Sequence, residues 1–231
     1  MEGKMKLTRY KIFAMSAALV ILSAATSSAS TLYDWAFNAD GTLSTQADAD
    51  PMPTAGALDG NGLGTLTWTT TGAGDHYFYS FFDFEITESD NGWDNETGSE
   101  HGIAAAGQSW EIDHPVVGWI YDDVLNGDLA IYTGNYIGGE VTDVSFAMGW
   151  DFTLGDGQTA LITLSLSDAM PQSGFYLQHF DNDNSQSVFL SSTLAITGDG
   201  GPQNPVPEPA TMLLLVTGLA GLAGFRRKHN S

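Results

Sequence analysis

Between Ser30 and Pro207 the chain contains no lysine and no arginine. All seven basic residues lie outside that stretch, four near the N-terminus and three at the C-terminal end. Glu2 and Glu208 flank it, which leaves 26 of the 28 acidic residues within 178 positions. Such a segment builds no salt bridge to Lys or Arg, repels polyanions and offers no basic surface to nucleic acid. It is expected to be soluble, and either to gather cations or to wear its acids as a solvated coat. Cysteine is absent, which removes disulfide staples, thiol catalysis and cysteine metal sites. Stability must then come from a hydrophobic core, and 178 residues are enough to build one.

The basic residues mark two terminal segments. Lys4, Lys6, Arg9 and Lys11 precede an apolar run, Ile12 to Leu22, too short to span a bilayer comfortably. Ser27 and Ala29 are the small residues expected before a signal-peptidase cut, so residues 1–29 read as a secretory signal peptide cleaved between Ala29 and Ser30. An uncleaved anchor is the alternative. The reading makes Sec-type export machinery a partner.

At the other end, Pro207-Glu208-Pro209 interrupts any strand or helix, because each proline fixes φ and lacks an N–H. Ala210 to Phe225 then runs 16 residues without a charge. As a helix it spans about 24 Å, against a hydrocarbon core of about 30 Å. Arg226, Arg227 and Lys228 can snorkel to the headgroups, and they place the C-terminus on the cytoplasmic side. An ordinary tail anchor behind a proline-rich linker would look similar. In the order Pro-Glu-Pro, glycine-containing apolar run and basic end, the tail resembles the PEP-CTERM sorting signal of Gram-negative bacteria. The resemblance implies an exosortase as partner, passage through the inner membrane, release to the cell surface or exterior, and association with extracellular polysaccharide.

Between these ends the pattern is that of short strands. Leu32 to Phe37 alternates, with Tyr33, Trp35 and Phe37 on one face. Asn38 to Leu63 reads as an extended loop and Leu66 to Thr71 as a strand. Tyr77 to Ile86 is aromatic on both faces, so it is expected to be central, packed on the core and covered from outside. Thr87 to Gly107 reads as a second long loop. Gln108 to Asp113, Val116 to Leu125 and Asp128 to Tyr132 read as further strands. Asp143 to Leu154 and Thr159 to Leu166 both alternate and flank Gly155-Asp156-Gly157, which predicts a hairpin. Phe175 to Phe180 and Val188 to Ile196 complete about ten strands, and no stretch sustains a helical period. The expected fold is mainly β: a single antiparallel sandwich of jelly-roll type over residues 30–197. A signal helix would precede it. A linker over 198–206 and a transmembrane sorting segment over 207–231 would follow.

Residues able to carry chemistry are few. Glu111 and Asp113 share a strand face and resemble the start of the E-x-D-x-x-E strand of laminarinase-type glycosidases. The third acid position is Val116, however, and His114-Pro115 interrupts the strand, so an exposed acidic face is the expectation. Asp181 and Asp183, within Asp-Asn-Asp-Asn-Ser, offer alternate oxygens as a calcium loop would. Gln186 and Ser192 stand where an EF-hand needs Gly and Glu, so a polar hairpin tip is the competing reading. His76, His101, His114 and His179 show no zinc spacing, and no G-x-S-x-G or phosphate loop occurs.

Leu63 to Ile86 is similar to uncharacterised ectodomains found on PEP-CTERM proteins, which implies membership and no activity. Three functions stay open: a non-enzymatic surface protein, a lectin-like module with Trp93 or Trp119 as stacking platform, and a glycan-active enzyme around Glu111.

Overall fold

The computed structural model describes residues 30–86, 95–137, 140–141 and 143–198. The signal peptide, the linker beyond Gly198 and the sorting tail lie outside the described residues. Among these residues fourteen strands form two six-stranded sheets and a small two-stranded pair, and there is one helix. Sheet I has the order β2-β1-β5-β11-β7-β8. These strands span Thr42–Thr45, Ser30–Ala39, Gly74–Ile86, Ser145–Leu154, Gln108–Asp113 and Tyr132–Thr133. Sheet II has the order β3-β4-β12-β14-β13-β6, spanning Ala55–Leu58, Gly64–Thr71, Thr159–Ser167, Gln186–Thr197, Tyr176–Asp181 and Glu96–His101. β9 (Tyr136–Ile137) pairs with β10 (Glu140–Val141). Pairing is antiparallel except between β7 and β8.

β5 is the axis of sheet I, paired on one side with β1 and on the other with β11. One of its faces turns Phe78, Phe82, Phe84 and Ile86 into the main core. There they meet Trp35 and Phe37 of β1, Phe146, Met148 and Trp150 of β11, and Ile162, Leu164, Leu177, Val188 and Leu190 of sheet II. One cluster therefore draws on both sheets. Rings lock edge to face where Phe37 meets Phe82, 5.6 Å between centroids. The opposite face of β5 turns Tyr79 and Phe81 outward, and a second buried cluster covers them. The expected central strand, apolar on both sides, is what the structure contains.

The cover is a helix within Val116 to Leu125, a segment that reads as a strand in the sequence. Ile120–Asn126 forms α1, and its buried Ile120 and Val124, one turn apart, pack on Ala36, Phe81 and Ala147. Asp122 and Asp123 lie in its first turn, beside the positive end of the dipole. Gly127 ends it at φ 73°, and its left-handed backbone lets Asp128 N–H return to Asp123 O at 2.9 Å. Asn38 Nδ2 donates to the carbonyls of Val124 and Leu125 at 3.2 and 2.8 Å, tying the helix end to β1.

Other expectations also need correction. The Asn38–Leu63 segment is not one loop but holds β2 and β3. β1 turns into β2 through Asp40-Gly41, both at positive φ (50° and 80°), a two-residue turn matched to the twist of its strands. The segment expected to loop up to Gly107 holds β6, while 87–94 fall outside the described residues. The strand expected at Asp128–Tyr132 reduces to Tyr132–Thr133. Gly155-Asp156-Gly157 does not close a hairpin. β11 belongs to sheet I and β12 to sheet II, so the turn carries the chain across the core. Each strand shows one apolar face because each contributes to the same interior from opposite sides.

Plain alternation puts Tyr33 on one face with Trp35 and Phe37. A bulge between Leu32 and Asp34 shifts the register with β5 and leaves Tyr33 68% exposed, while Leu32 packs on the core. Accordingly, Phe37→Ala is expected to cost about 3–5 kcal/mol in chemical denaturation, and Tyr33→Ala no more than about 0.5 kcal/mol. Equal losses would contradict this register.

Candidate functional site

The sorting residues Pro207, Glu208, Pro209, Arg226, Arg227 and Lys228, and Ala29 before the cut, lie outside the described residues. So does Trp93. Ser30 opens β1, buried, with Oγ donating to Asn61 O at 3.3 Å. Among the described residues no helix is long and apolar enough to cross a membrane.

Inside the domain Asp83, Glu96, Asp143 and His179 gather in a cluster that no local sequence pattern marks. β13 alternates Tyr176, Leu177, Gln178, His179, Phe180 and Asp181, and its inward positions are Leu177, His179 and Asp181. His179 is wholly buried, its ring set edge-on to Phe146, and its Nε2 meets Glu96 Oε2. The other Glu96 oxygen accepts Ile86 N–H at 3.3 Å. Burial alone would lower the His179 pKa, but Glu96, Asp83 and Asp143 outweigh it and hold the value above that of a free imidazole. Burial pushes Asp83 up to about 7 and Asp143 up to about 8. Glu96 and His179 act on both, the glutamate raising each value and the histidine lowering it.

Glu111 was expected on an exposed acidic face. It is only 1% exposed and lies under α1, where Oε2 accepts Ala130 N–H at 2.8 Å. Burial lifts its carboxyl to about 7, and its side chain hydrogen-bonds that of Asp123 on α1, whose own pKa is also raised by burial. A hydrogen bond between two carboxyl groups requires one proton between them. Asp113 is half-buried, and its carboxylate accepts His114 N–H at 2.8 Å. This geometry braces the helix and presents no open carboxylate pair.

Asp181, the first of the loop acids, is buried and used up locally. Oδ1 accepts the N–H groups of Asp183 and Asn184, at 2.7 and 3.2 Å, and Asn95 Nδ2 at 3.1 Å; Oδ2 accepts Asn184 Nδ2 at 2.9 Å. A cation at Asp181 would have to displace four donors that shape the β13–β14 turn. Asp183 Oδ2 lies 3.4 Å from Asn95 Nδ2. Among the described residues no three His, Asp or Glu side chains form a group able to hold a metal. A shallow hollow beside Asp75, Tyr77 and Asp151 is likewise satisfied internally, with Thr153 donating to Asp75 and Tyr79 to Asp151, each at 2.7 Å.

Among the described residues two exposed surfaces stand out. On the loop from β7 into α1, Trp119 is 70% exposed beside the exposed Val116 and Val117. The outward face of sheet II is larger and of a different kind. β4 turns out Thr65, Thr67, Thr69 and Thr71, and β12 turns out Thr159, Leu161, Thr163, Ser165 and Ser167. In register, Thr67, Thr163 and Thr193 form one row, and Thr71, Thr159 and Thr197 another. Across β6, β13 and β14 the same face carries Ser99, His101, Tyr176, Gln178, Phe180, Ser187 and Phe189, the last of these buried against Tyr176. His101 stacks on Tyr176 at 4.8 Å and meets Gln178 Oε1 through Nε2 at 3.1 Å, while Gln178 Nε2 donates to Ser187 Oγ at 2.8 Å. No outward position of the six strands is Asp or Glu. α1 packs on strands of sheet I, leaving this face without a helix among the described residues.

The buried groups determine how stability depends on pH. A carboxyl whose native pKa exceeds its unfolded one keeps a proton that the unfolded chain releases. Its favourable contribution is complete below the unfolded value and is lost as pH rises through the native one. For Asp83, Asp143 and Glu111 that window runs from ordinary values of 3.8 and 4.5 up to about 7 or about 8. His179, raised from 6.5, has the same sign. The melting temperature of the full-length protein is therefore expected to fall from about pH 5 to about pH 8. A rise across that range would contradict the assignment.

No curated protein and no solved structure matches the chain. Residues 205–228 match the family model described as the PEP-CTERM protein-sorting motif. That match covers about a tenth of the sequence and includes all six residues named for sorting. Residues 205–228 thus carry a PEP-CTERM sorting signal, which implies export and exosortase-mediated sorting at the membrane.

Proposed function

We propose that this chain is an exported, non-enzymatic surface or matrix protein, sorted through its tail and acting in extracellular polysaccharide. The observation that carries the reading is the sorting motif at 205–228, placed behind a domain free of lysine and arginine. On this reading residues 1–29 are removed after Sec-type export, and the two facing sheets form a sandwich of jelly-roll type. The apolar tail helix holds that sandwich on the periplasmic side of the inner membrane until exosortase acts. The buried state of Glu111 supports a role without catalysis. A retaining glycosidase needs two accessible carboxyls about 5 Å apart, whereas this one is closed under α1 and engaged by Ala130 and Asp123. A lectin-like module is the second reading, favoured by the exposure of Trp119.

Glu208→Ala separates sorting from plain anchoring. In a host with a matching exosortase, the variant is expected to accumulate in the inner membrane while wild type moves to the surface or medium. Identical fractionation would reduce Pro207-Glu208-Pro209 to a spacer. N-terminal sequencing of exported protein is expected to start within about two residues of Ser30; an intact Met1 on exported material would refute the signal-peptide reading.

A further inference from the structure

We propose that the outward face of sheet II is a docking surface for a neutral polysaccharide chain. The proposal rests on the polysaccharide-associated reading above and names the surface that would make the contact. Its first support is charge. The stretch that builds the domain has 26 acids and no Lys or Arg in 178 residues, yet no acid occupies an outward position on any of these six strands. Elsewhere the surface repels anions and draws cations. This face has no acid and no Lys or Arg at its outward strand positions, which suits an uncharged partner.

The second support is what replaces charge. Each Ser or Thr hydroxyl offers one donor and two acceptors. Strands spaced about 4.8 Å apart, with same-face residues about 6.8 Å apart along each strand, set these hydroxyls in a regular array. The rows Thr67-Thr163-Thr193 and Thr71-Thr159-Thr197 run across three strands in register. Such an array suits a partner that is itself a repeat of hydroxyl groups. Leu161, 40% exposed between Thr159 and Thr163, adds an apolar contact for a C–H-bearing ring face.

Composition also decides against the other occupants. Protein–protein interfaces are depleted in Ser and rely on aromatic and Arg anchors. On β4, β12 and β14 the outward residues are mainly Thr and Ser, which gives a second copy of the chain little apolar area to bury. Nucleic acid would need cations, and the face has no Lys or Arg.

The test uses full-length protein in detergent, co-sedimented with three insoluble neutral polysaccharides (amylose, cellulose and curdlan). Carboxymethyl-cellulose on a gel serves as the anionic comparison. Wild type is expected to pellet with at least one neutral polymer and to be unaffected by the anionic one at low salt. Thr163→Glu sets a charge at the centre of the threonine row and is expected to weaken retention at least about tenfold, roughly 1.4 kcal/mol. Thr163→Val keeps the strand and its shape, and is expected to weaken retention less. Far-UV circular dichroism and melting confirm that each variant folds.

No retention on any of the three neutral polymers overturns the proposal. So does retention lost in Trp119→Ala but kept in Thr163→Glu, which would move binding to the loop before α1. A wild-type dimer in size exclusion that Thr163→Glu dissociates would assign the face to a second copy instead. Normal export of Thr163→Glu with loss of retention separates this surface from the sorting reading, which depends on the tail alone.

Discussion

A domain with no lysine or arginine must neutralise every buried carboxyl by some other means, and each solution is visible in a different part of the fold. Desolvating an unpaired carboxylate is costly enough that the group takes a proton instead. Asp181 escapes that cost by accepting four N–H donors from its own turn and from Asn95. Glu96 meets His179, the one buried histidine among the described residues. Glu111 shares a hydrogen bond with Asp123 and accepts a backbone N–H. Asp83 and Asp143, close to both Glu96 and His179, are pushed toward neutrality. Protons and backbone N–H groups here do the work that lysine and arginine do in most proteins.

The same constraint sorts the surfaces. β5 fills both of its faces with aromatic residues, so sheet I needs a layer on each side, and sheet II and α1 supply them. Sheet II turns its other face outward, and over β4, β12 and β14 that face is mainly hydroxyls rather than acids. Crowding more carboxylates onto adjacent strands would set like charges about 5 Å apart, with no cations to relieve them. Threonine tolerates that environment and favours strand conformation. A neutral face is thus a consequence of the charge balance before it is a binding surface.

Much of the frame was legible in the sequence. The alternation of Val144, Phe146, Met148 and Trp150 placed β11 on the core, and the two-sided aromatic run placed β5 at the centre. Sheet membership was harder to read, because alternation reports which face is buried and not which sheet a strand joins. Gly155-Asp156-Gly157 therefore looked like a hairpin although it crosses the core. The Asp40-Gly41 turn was a readable signal for β2 that the surrounding small residues obscured. α1 was missed because seven residues are too few for a helical period to stand out, although Ile120 and Val124 followed by Gly127 carried the signal. The buried His179–Glu96 pair joins residues 83 positions apart. Only the pairing of β6 with β13 brings them together, so no local pattern could announce it.

Site-resolved titration by NMR tests the account of charge most directly, following the side-chain carboxyl carbons of Asp83, Asp143 and Glu111 together with the His179 ring. The account predicts midpoints near 7 for Asp83 and Glu111 and near 8 for Asp143, with His179 titrating above a free imidazole. Carboxyl midpoints at the ordinary values of 3.8 and 4.5 would contradict it, since the interior would then hold several bare carboxylates with no lysine or arginine to balance them.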